Sequence, residues 1–167
     1  MTKIWKETGF VENDAWVVPV EGEALPAGTR PILAFGEFLE QMEASNEGGF
    51  GVLIAPADDV TKLAPYLERI ALVALAFPAF NDGRAFSHAS LLRSRLGYEG
   101  EVRAVGDVLI DQIPLMIRCG IDSFAVTNAT AIKRLAEGRL PGISLHSQPA
   151  FKAAEAGQGF SWRRKAS

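Results

Sequence analysis

The chain has little of what disulfide-linked and zinc-binding proteins need. Its 167 residues include one cysteine, Cys119, and two histidines, His88 and His146. A single cysteine cannot form an intramolecular disulfide, and without a CxxC pair these counts argue against a cysteine/histidine zinc site. We expect a domain that folds without either, because a chain of roughly 150 residues buries about 70% of its unfolded surface.

A net positive charge, long apolar runs and nucleotide-binding motifs are also missing. The formal net charge is −3, so a nucleic-acid partner held mainly through its phosphates is not expected. The longest apolar run, Ile70 to Phe80, has eleven residues, whereas a helix needs about 20 to span a bilayer. Neither GxGxxG nor GxxxxGKS/T is present, so no dinucleotide fingerprint or P-loop is predicted and we assign no cofactor.

The first residues give no targeting signal. They read MTKIWKETGF, with early charge and no apolar segment, which is unlike a signal peptide. Apolar residues make up 48% of the chain and charged residues 22%, as in ordinary globular domains. These features predict a cytoplasmic globular protein that binds neither nucleic acid nor a membrane.

What the chain does contain is an alternation of short apolar and amphipathic segments. The apolar segments are 51–55, 71–77, 101–106 and 123–127, and an amphipathic segment follows each of them. Continuous runs of Val, Ile, Leu, Phe and Ala are typical of parallel strands covered on both faces. The pattern predicts an α/β fold of about four consecutive βα units forming a parallel sheet. An open three-layer sheet and half of a (β/α)₈ barrel both remain possible.

We expect one domain overall, in three parts. Residues 1–50 read as a small β-hairpin around the turn TGFVEND, a linker rich in Pro and Gly, and an amphipathic helix from Leu33 to Ser45. Residues 51–140 form the βα core, and residues 141–167 form a C-terminal tail. An exposed sheet edge would be covered by the N-terminal segment or by a second subunit, so a homodimer is possible.

Capping residues and prolines predict where the helices begin, end or kink. Short polar side chains suited to N-caps are Ser87, Asp107 and Asn128. Gly97 and Gly120 stand where C-terminal caps belong. Pro65 and Pro114 should kink or shorten their helices unless they lie in the first turn.

Polar residues follow each predicted strand. In open parallel sheets and in barrels, ligands bind beyond the carboxyl ends of the strands. If the strands are assigned correctly, these side chains share one rim. They are Asp58, Asp59, Asn81, Asp82, Arg84, Asp107, Asp111, Gln112 and Asn128.

The segment around Asp82 and Arg84 permits two interpretations. Arg84, Ser87 and the first free amides of the following helix would hold an oxyanion through charge and the helix dipole, with His88 as a further donor. Arg103 would complete a site suited to sulfite or sulfate. Alternatively, Asp-Gly is common turn chemistry and Ser87 simply caps the helix.

A magnesium site is a weaker alternative. The candidate ligands are Asp82, Asp107 and Asp111, with Asp58 as a fourth. Asp107 is also a good N-cap and Asp111 is able to pair with an arginine, and no dense carboxylate motif is present. We therefore assign no metal.

Two further features have ordinary structural explanations. Glu101 and Arg103 alternate on one predicted strand and so face the same side; if that side is covered, an ion-pair network explains them. Cys119, at a helix end before Gly120, is more typical of an inert buried thiol than of a nucleophile.

The central segment carries a long set of residues that together suggest a family. They are Phe77, Pro78, Phe80, Asp82, Gly83, Arg84, Ser87, Leu92, Arg93, Gly97, Tyr98, Gly100, Glu101, Arg103, Ala104, Gly106, Asp107, Val108, Asp111, Gln112, Arg118, Cys119 and Gly120. In these residues the segment resembles an uncharacterised bacterial family, a domain of unknown function. The resemblance covers residues 50–127 well and the N-terminal part loosely. Ala85 departs from the family's usual glycine, which puts a close backbone approach there in doubt.

The resemblance implies a link to sulfur metabolism. Genes of this family commonly lie beside those for assimilatory sulfite reductase, and members are often labelled putative oxidoreductase. That label has no support in these residues, because the chain lacks a nucleotide fingerprint, a redox cysteine pair and cluster ligands.

Three functions follow as hypotheses. The first, which we favour, is an accessory protein of assimilatory sulfate or sulfite reduction that binds sulfite reductase or another sulfur-assimilation protein. The second is a small enzyme that acts on an anionic substrate through Asp82, Arg84, Asp107 and Asp111. The third is a structural module that docks through its N-terminal hairpin or through Phe160 and Trp162 in the tail.

Overall fold

The computed structural model of the chain describes residues 1–19, 22–79 and 81–141. These residues form one eight-stranded sheet with helices packed against it. The strands are β1 (Lys3–Lys6), β2 (Gly9–Val11), β3 (Trp16–Val17), β4 (Arg30–Ala34), β5 (Phe50–Ile54), β6 (Ile70–Phe77), β7 (Glu101–Gly106) and β8 (Ser123–Val126). The helices are α1 (Phe35–Ala44), α2 (Arg84–Ser94), α3 (Ile113–Arg118) and α4 (Ala129–Ala136), and a 3₁₀ helix spans Val60–Arg69.

The strand order is β2-β1-β8-β7-β6-β5-β4-β3. Strands β3 to β8 are parallel and lie in chain order, while β1 pairs antiparallel with β8 and β2 pairs antiparallel with β1. Right-handed crossovers between sequential strands place all the connecting helices on one side. The sheet is therefore a curled half-barrel and not a three-layer sheet. The prediction of an α/β fold with parallel strands is confirmed, but the count of four βα units is wrong.

The missed parallel strand is β4. Its sequence, Arg30–Ala34, stands where the Pro/Gly linker and the start of the first helix were predicted. Pro31 weakened the strand signal, because proline is rare inside sheets. It is tolerated here beside the two-residue edge strand β3, opposite Val17. Helix α1 consequently begins at Phe35, directly after the strand.

The N-terminal hairpin exists, but its second strand is not the predicted one. Strand β2 lies inside the expected turn, and Trp16–Val17 forms β3 at the opposite edge of the sheet. Only residues 12–15 join these two edges, a path of at most about 18 Å from Val11 to Trp16. Eight flat strands would separate the edges by about 34 Å. The short connection therefore requires the sheet to curl.

Both faces of the sheet are covered. The face that carries Val52, Val73 and Phe124 packs against the helices and holds most of the apolar core. The opposite face, called here the inner face, holds a smaller cluster formed by Ile32, Leu72 and Ala74. This explains why a central strand such as β6 is apolar at successive positions and does not alternate. Strand β7 differs, because Glu101 and Arg103 alternate with its apolar residues.

The predicted helix ends are partly correct. Asn128 caps α4, since its side chain accepts a hydrogen bond from the Ala131 amide at 3.0 Å. Ser87 and Asp107 are not N-caps, because α2 begins at Arg84 and α3 begins only after Gln112. A side chain acts as an N-cap only directly before the first turn, and α2 begins before Ser87 whereas α3 begins six residues after Asp107.

The two prolines behave as the sequence suggested. Pro114 lies in the first turn of α3, where its missing N–H costs nothing. Pro65 lies within the 3₁₀ helix, which replaces the predicted α-helix. Within the described ranges, no helix combines the length and the apolar character required to cross a membrane.

Candidate functional site

The loops after β5 and β6 bring predicted rim residues together around His88. The charges of Asp58, Asp59, Asp82 and Arg84 all act on its imidazole. Asp58 accepts a hydrogen bond from the Ala55 amide, and Asp59 accepts one from the Thr61 amide at the start of the 3₁₀ helix. The site is therefore rich in carboxylates, and two of them also stabilise their own loops by accepting hydrogen bonds from nearby backbone amides.

Asp82 and Arg84 form a local pair. The Arg84 guanidinium donates from Nε and Nη2 to the two carboxylate oxygens at 3.0 and 2.7 Å, and the Arg84 amide donates to Oδ1 at 3.1 Å. These hydrogen bonds lower the pKa of Asp82. The Asp82 carboxylate thus takes the position beside the first amide of α2 that an external oxyanion is expected to occupy. Because the Arg84 side chain is 61% exposed, the pair contributes little stability.

Ser87 does not join the pair formed by Asp82 and Arg84. It lines a groove of about 570 Å³ between α2 and α3, together with Ser90, Leu91, Leu115 and Cys119. The half-buried Cys119 thiol forms part of this wall. Ser87 is the fourth residue of α2, so it does not accept from the helix's first amides.

His88 is the unusual member of the rim. Its Nδ1 atom is buried and has no hydrogen-bond partner within the described part of the chain. Burial lowers the pKa of His88, and the nearby carboxylates of Asp58 and Asp59 oppose this shift only in part. The imidazole is therefore neutral at pH 7 and able to accept a proton.

The His88 environment predicts a pH dependence of stability. A folded pKa below the unfolded value, about 6.5, means that the unfolded chain binds more protons below that pH. Stability should therefore fall as the pH is lowered from 7.5 to 5.5, and His88→Gln should reduce this loss. The measurement is urea unfolding of both proteins across this range.

The histidine effect is separable from other titrations. Asp59, Asp82 and Glu101 have lowered pKa values and titrate below this window. His146 lies outside the described residues, and His146→Gln measured in parallel isolates its contribution. An unchanged pH slope in His88→Gln would contradict the assignment.

Arg103 belongs to a buried network on the inner face. Its guanidinium donates to the two carboxylate oxygens of Asp14 at 2.6 and 2.8 Å and to Glu101 at 2.9 Å, and its side chain is 4% exposed. Glu101 also accepts hydrogen bonds from Lys6 at 2.8 Å and Ser123 at 2.6 Å. Burial acts to raise the pKa of Glu101, but these donors hold it below its usual value. The structure therefore pairs Arg103 with Asp14 and Glu101 and gives it no contact with Arg84 among the described hydrogen bonds.

The remaining rim residues lie in the segment between β7 and α3. Asp107 and Asp111 are exposed, and Gln112 precedes the first residue of α3. The Asp107 amide donates to the Phe77 carbonyl at 2.7 Å, which keeps β6 and β7 paired at the rim. Among the residues that the structure describes, no three His, Cys, Asp or Glu side chains are close enough to hold a metal ion. The magnesium interpretation gains no support.

Arg93 was not singled out as a candidate from its sequence position. It donates from Nε to Gly120 O at 2.9 Å and from Nη1 to Tyr98 O at 2.6 Å and Gly100 O at 2.8 Å, and it pairs with Asp122. The buried guanidinium thereby joins α2 to the loops that precede β7 and β8. The available signal was its position four residues after Ala89, on the buried side of α2.

Comparisons with known proteins are limited to one family. No curated protein and no solved structure matches the chain. Residues 51–157, from β5 through α4 and beyond, match the family described as "Bacterial protein of unknown function (DUF934)". This range contains Asp82, Arg84, Arg93 and Arg103, and it confirms the resemblance to a bacterial domain of unknown function. The chain belongs to this family.

Proposed function

We propose that the protein is an accessory protein of assimilatory sulfite reduction, which acts by binding a protein of that pathway such as sulfite reductase. The pathway rests on the family resemblance, because genes of similar proteins commonly lie beside those for that enzyme. The partner-binding role is supported by one observation. The two arginines expected to hold an oxyanion, Arg84 and Arg103, both already bind carboxylates of the chain in bidentate fashion.

The charge at the rim supports the same choice. An oxyanion at Arg84 would have to displace Asp82, whose carboxylate accepts two hydrogen bonds from that guanidinium. The carboxylates of Asp58, Asp59 and Asp82 all act on the neighbouring His88, and a further negative charge there would be repelled. A role that needs no free oxyanion at the rim agrees better with this arrangement.

A deletion strain of the bacterium that encodes the protein tests the pathway. We expect slower growth with sulfate as the only sulfur source, normal growth with cysteine, and recovery when the wild-type chain is restored. Gel filtration of the purified chain with purified sulfite reductase tests the contact directly. Normal growth on sulfate would reject the proposal.

A second candidate is a small enzyme that acts on an anionic substrate at the rim through Asp82, Arg84, Asp107 and Asp111. The observation that favours it is His88, whose neutral imidazole is suited to general base catalysis. Barrel enzymes carry their active sites at this end of the strands. His88→Gln separates the two functions. If this variant binds the reductase and restores growth, the enzyme is rejected, and if it binds but does not restore growth, the enzyme is favoured.

A further inference from the structure

The segment that joins the two sheet edges places two side chains on the inner face. We call residues 12–17 the strap. Asp14 and Trp16 are two positions apart, and both side chains contact residues of the inner face. Asp14 contacts Arg103, and Trp16 lies against Gly51 and Ile32. The strap thus presents a carboxylate and an indole to the sheet beneath it.

The polar end of the inner face is built to receive one carboxylate. Without Asp14, the neighbouring charges are those of Lys6, Glu101 and Arg103, with a net charge of +1. The Arg103 side chain is 4% exposed, and a buried guanidinium requires a partner. Glu101 alone does not balance the two cations, so a negatively charged group is favoured in the place of Asp14.

The other end of the inner face is built to receive a flat ring. A Cβ atom added at Gly51 would lie 3.0 Å from Cζ3 of Trp16, so glycine is what lets the indole approach the strand. The Arg30 guanidinium stacks at 4.4 Å from the indole ring and is held by the Gly49 carbonyl at 2.7 Å. Stacking of this kind favours an aromatic group.

The strap is weakly attached by its backbone. Strand β3 has two residues, and each pairs only with β4, whereas strands typically have five or six. Besides this pairing, the described backbone hydrogen bonds join the strap to β4 through the Arg30 amide, which donates to the Ala15 carbonyl at 2.7 Å. A segment with so few backbone contacts is one that another extended segment can replace.

We propose that the inner face is a peptide-binding site and that the strap is its internal pseudo-ligand. The ligand is an extended segment of a partner protein that carries an acidic residue and, two positions later, an aromatic residue. It displaces the strap and adds beside β4 as a parallel strand, so that backbone pairing supplies affinity and the two side chains supply specificity. This inference rests on the proposed partner-binding role, because it names the chemistry of the partner.

A synthetic peptide of residues 11–18 (acetyl-VENDAWVV-amide) tests the site. We expect it to bind the full-length Asp14→Ala/Trp16→Ala variant saturably in isothermal titration calorimetry. It should bind the wild type more weakly, because a tethered strap competes at an effective concentration on the order of millimolar. A peptide with asparagine in place of the aspartate should lose about 30-fold in affinity or more, as expected for a buried charge pair.

Controls separate recognition from folding. Asp14→Asn is a second variant that keeps the side-chain shape if the double variant does not fold. Adding Arg103→Gln should abolish binding, whereas Lys3→Gln, an exposed change on β1, should leave it intact. An unrelated octapeptide that keeps only the Asp-x-Trp spacing should also bind.

The outcomes decide the proposal. Failure of the folded variants to bind the peptide would overturn it, and so would a wild type that binds none at millimolar concentration, since the strap would then be a fixed structural element. The assay contains no sulfite reductase. It therefore fails independently of the growth experiment, which tests the pathway.

Discussion

Arg93→Ala is expected to lower the free energy of unfolding by about 3–5 kcal/mol, the cost of leaving partners of a buried charge unpaired. The guanidinium serves three carbonyls and the Asp122 carboxylate, and its side chain is 4% exposed. Asp122 would keep the Val102 amide as a donor at 3.0 Å but lose its cation. Urea unfolding followed by circular dichroism measures the change, and the melting temperature should drop by about 10 °C.

Two comparisons test the explanation. Arg93→Lys should recover only part of the loss, because one ammonium group does not reproduce the planar set of donors that reaches four acceptors. Arg95→Ala removes an exposed arginine two residues away and should change stability by at most about 0.5 kcal/mol. If Arg93→Ala stays within about 1 kcal/mol of the wild type, the network does not hold the loops together.

Gly106→Ala has the second large expected effect, a loss of about 3 kcal/mol or more. Gly106 has φ +97°, a conformation that costs other residues about 1–3 kcal/mol. A Cβ atom there would lie 2.5 Å from the Phe77 carbonyl oxygen, which also accepts the Asp107 amide. Overpacking against backbone adds about 1–3 kcal/mol. Thermal unfolding should show the change directly.

Gly97→Ala is the matched control for backbone conformation. Gly97 also has a positive φ, +67°, but no atom lies within 4 Å of an added Cβ. We expect it to cost about 1 kcal/mol, the strain of the left-handed region alone. Equal losses in the two variants would show that the contact with Phe77 is not what requires glycine at position 106.

Gly106→Ala and Arg93→Ala perturb opposite ends of the sheet. Gly106 ends β7 beside the end of β6, and the next residue, Asp107, is one of the predicted rim residues. Loss of the Phe77 contact would shift the loop that carries Asp107. Arg93 lies instead near the opposite ends of β7 and β8, where the chain enters both strands.

Local sequence pattern identified four central strands and the start of one helix. The apolar runs located β5, β6, β7 and β8, because burial on both faces of a sheet selects mostly apolar residues along a strand. Asn128 marked the start of α4 through a hydrogen bond to a residue three positions away. Both signals lie within short stretches of sequence, although the burial behind the first comes from distant segments.

The candidate site was harder to predict, because the type of a side chain does not indicate which distant residue it will pair with. Arg103 was expected at a rim and lies instead on the inner face, bound to a residue 89 positions earlier in the chain. Ser87 and Asp107 have side chains suited to N-caps. Whether they act as caps depends on the length of the preceding loop, which the sequence does not specify. The sequence identified His88 only as a hydrogen-bond donor. The carboxylates that act on it belong to loops after two different strands, β5 and β6, which only the fold brings together.

The amino-acid sequence by itself determined an α/β domain of parallel strands and its family, since both follow from residues close together in the chain. The tertiary structure decided the half-barrel, the strap and the pairing of each buried charge. The sheet curls because four residues join its opposite edges, and Arg103 is satisfied because that same connection brings Asp14 to it. An ion pair between distant residues produces no periodic pattern in the sequence, because it depends on which distant segments lie on the same face of the sheet.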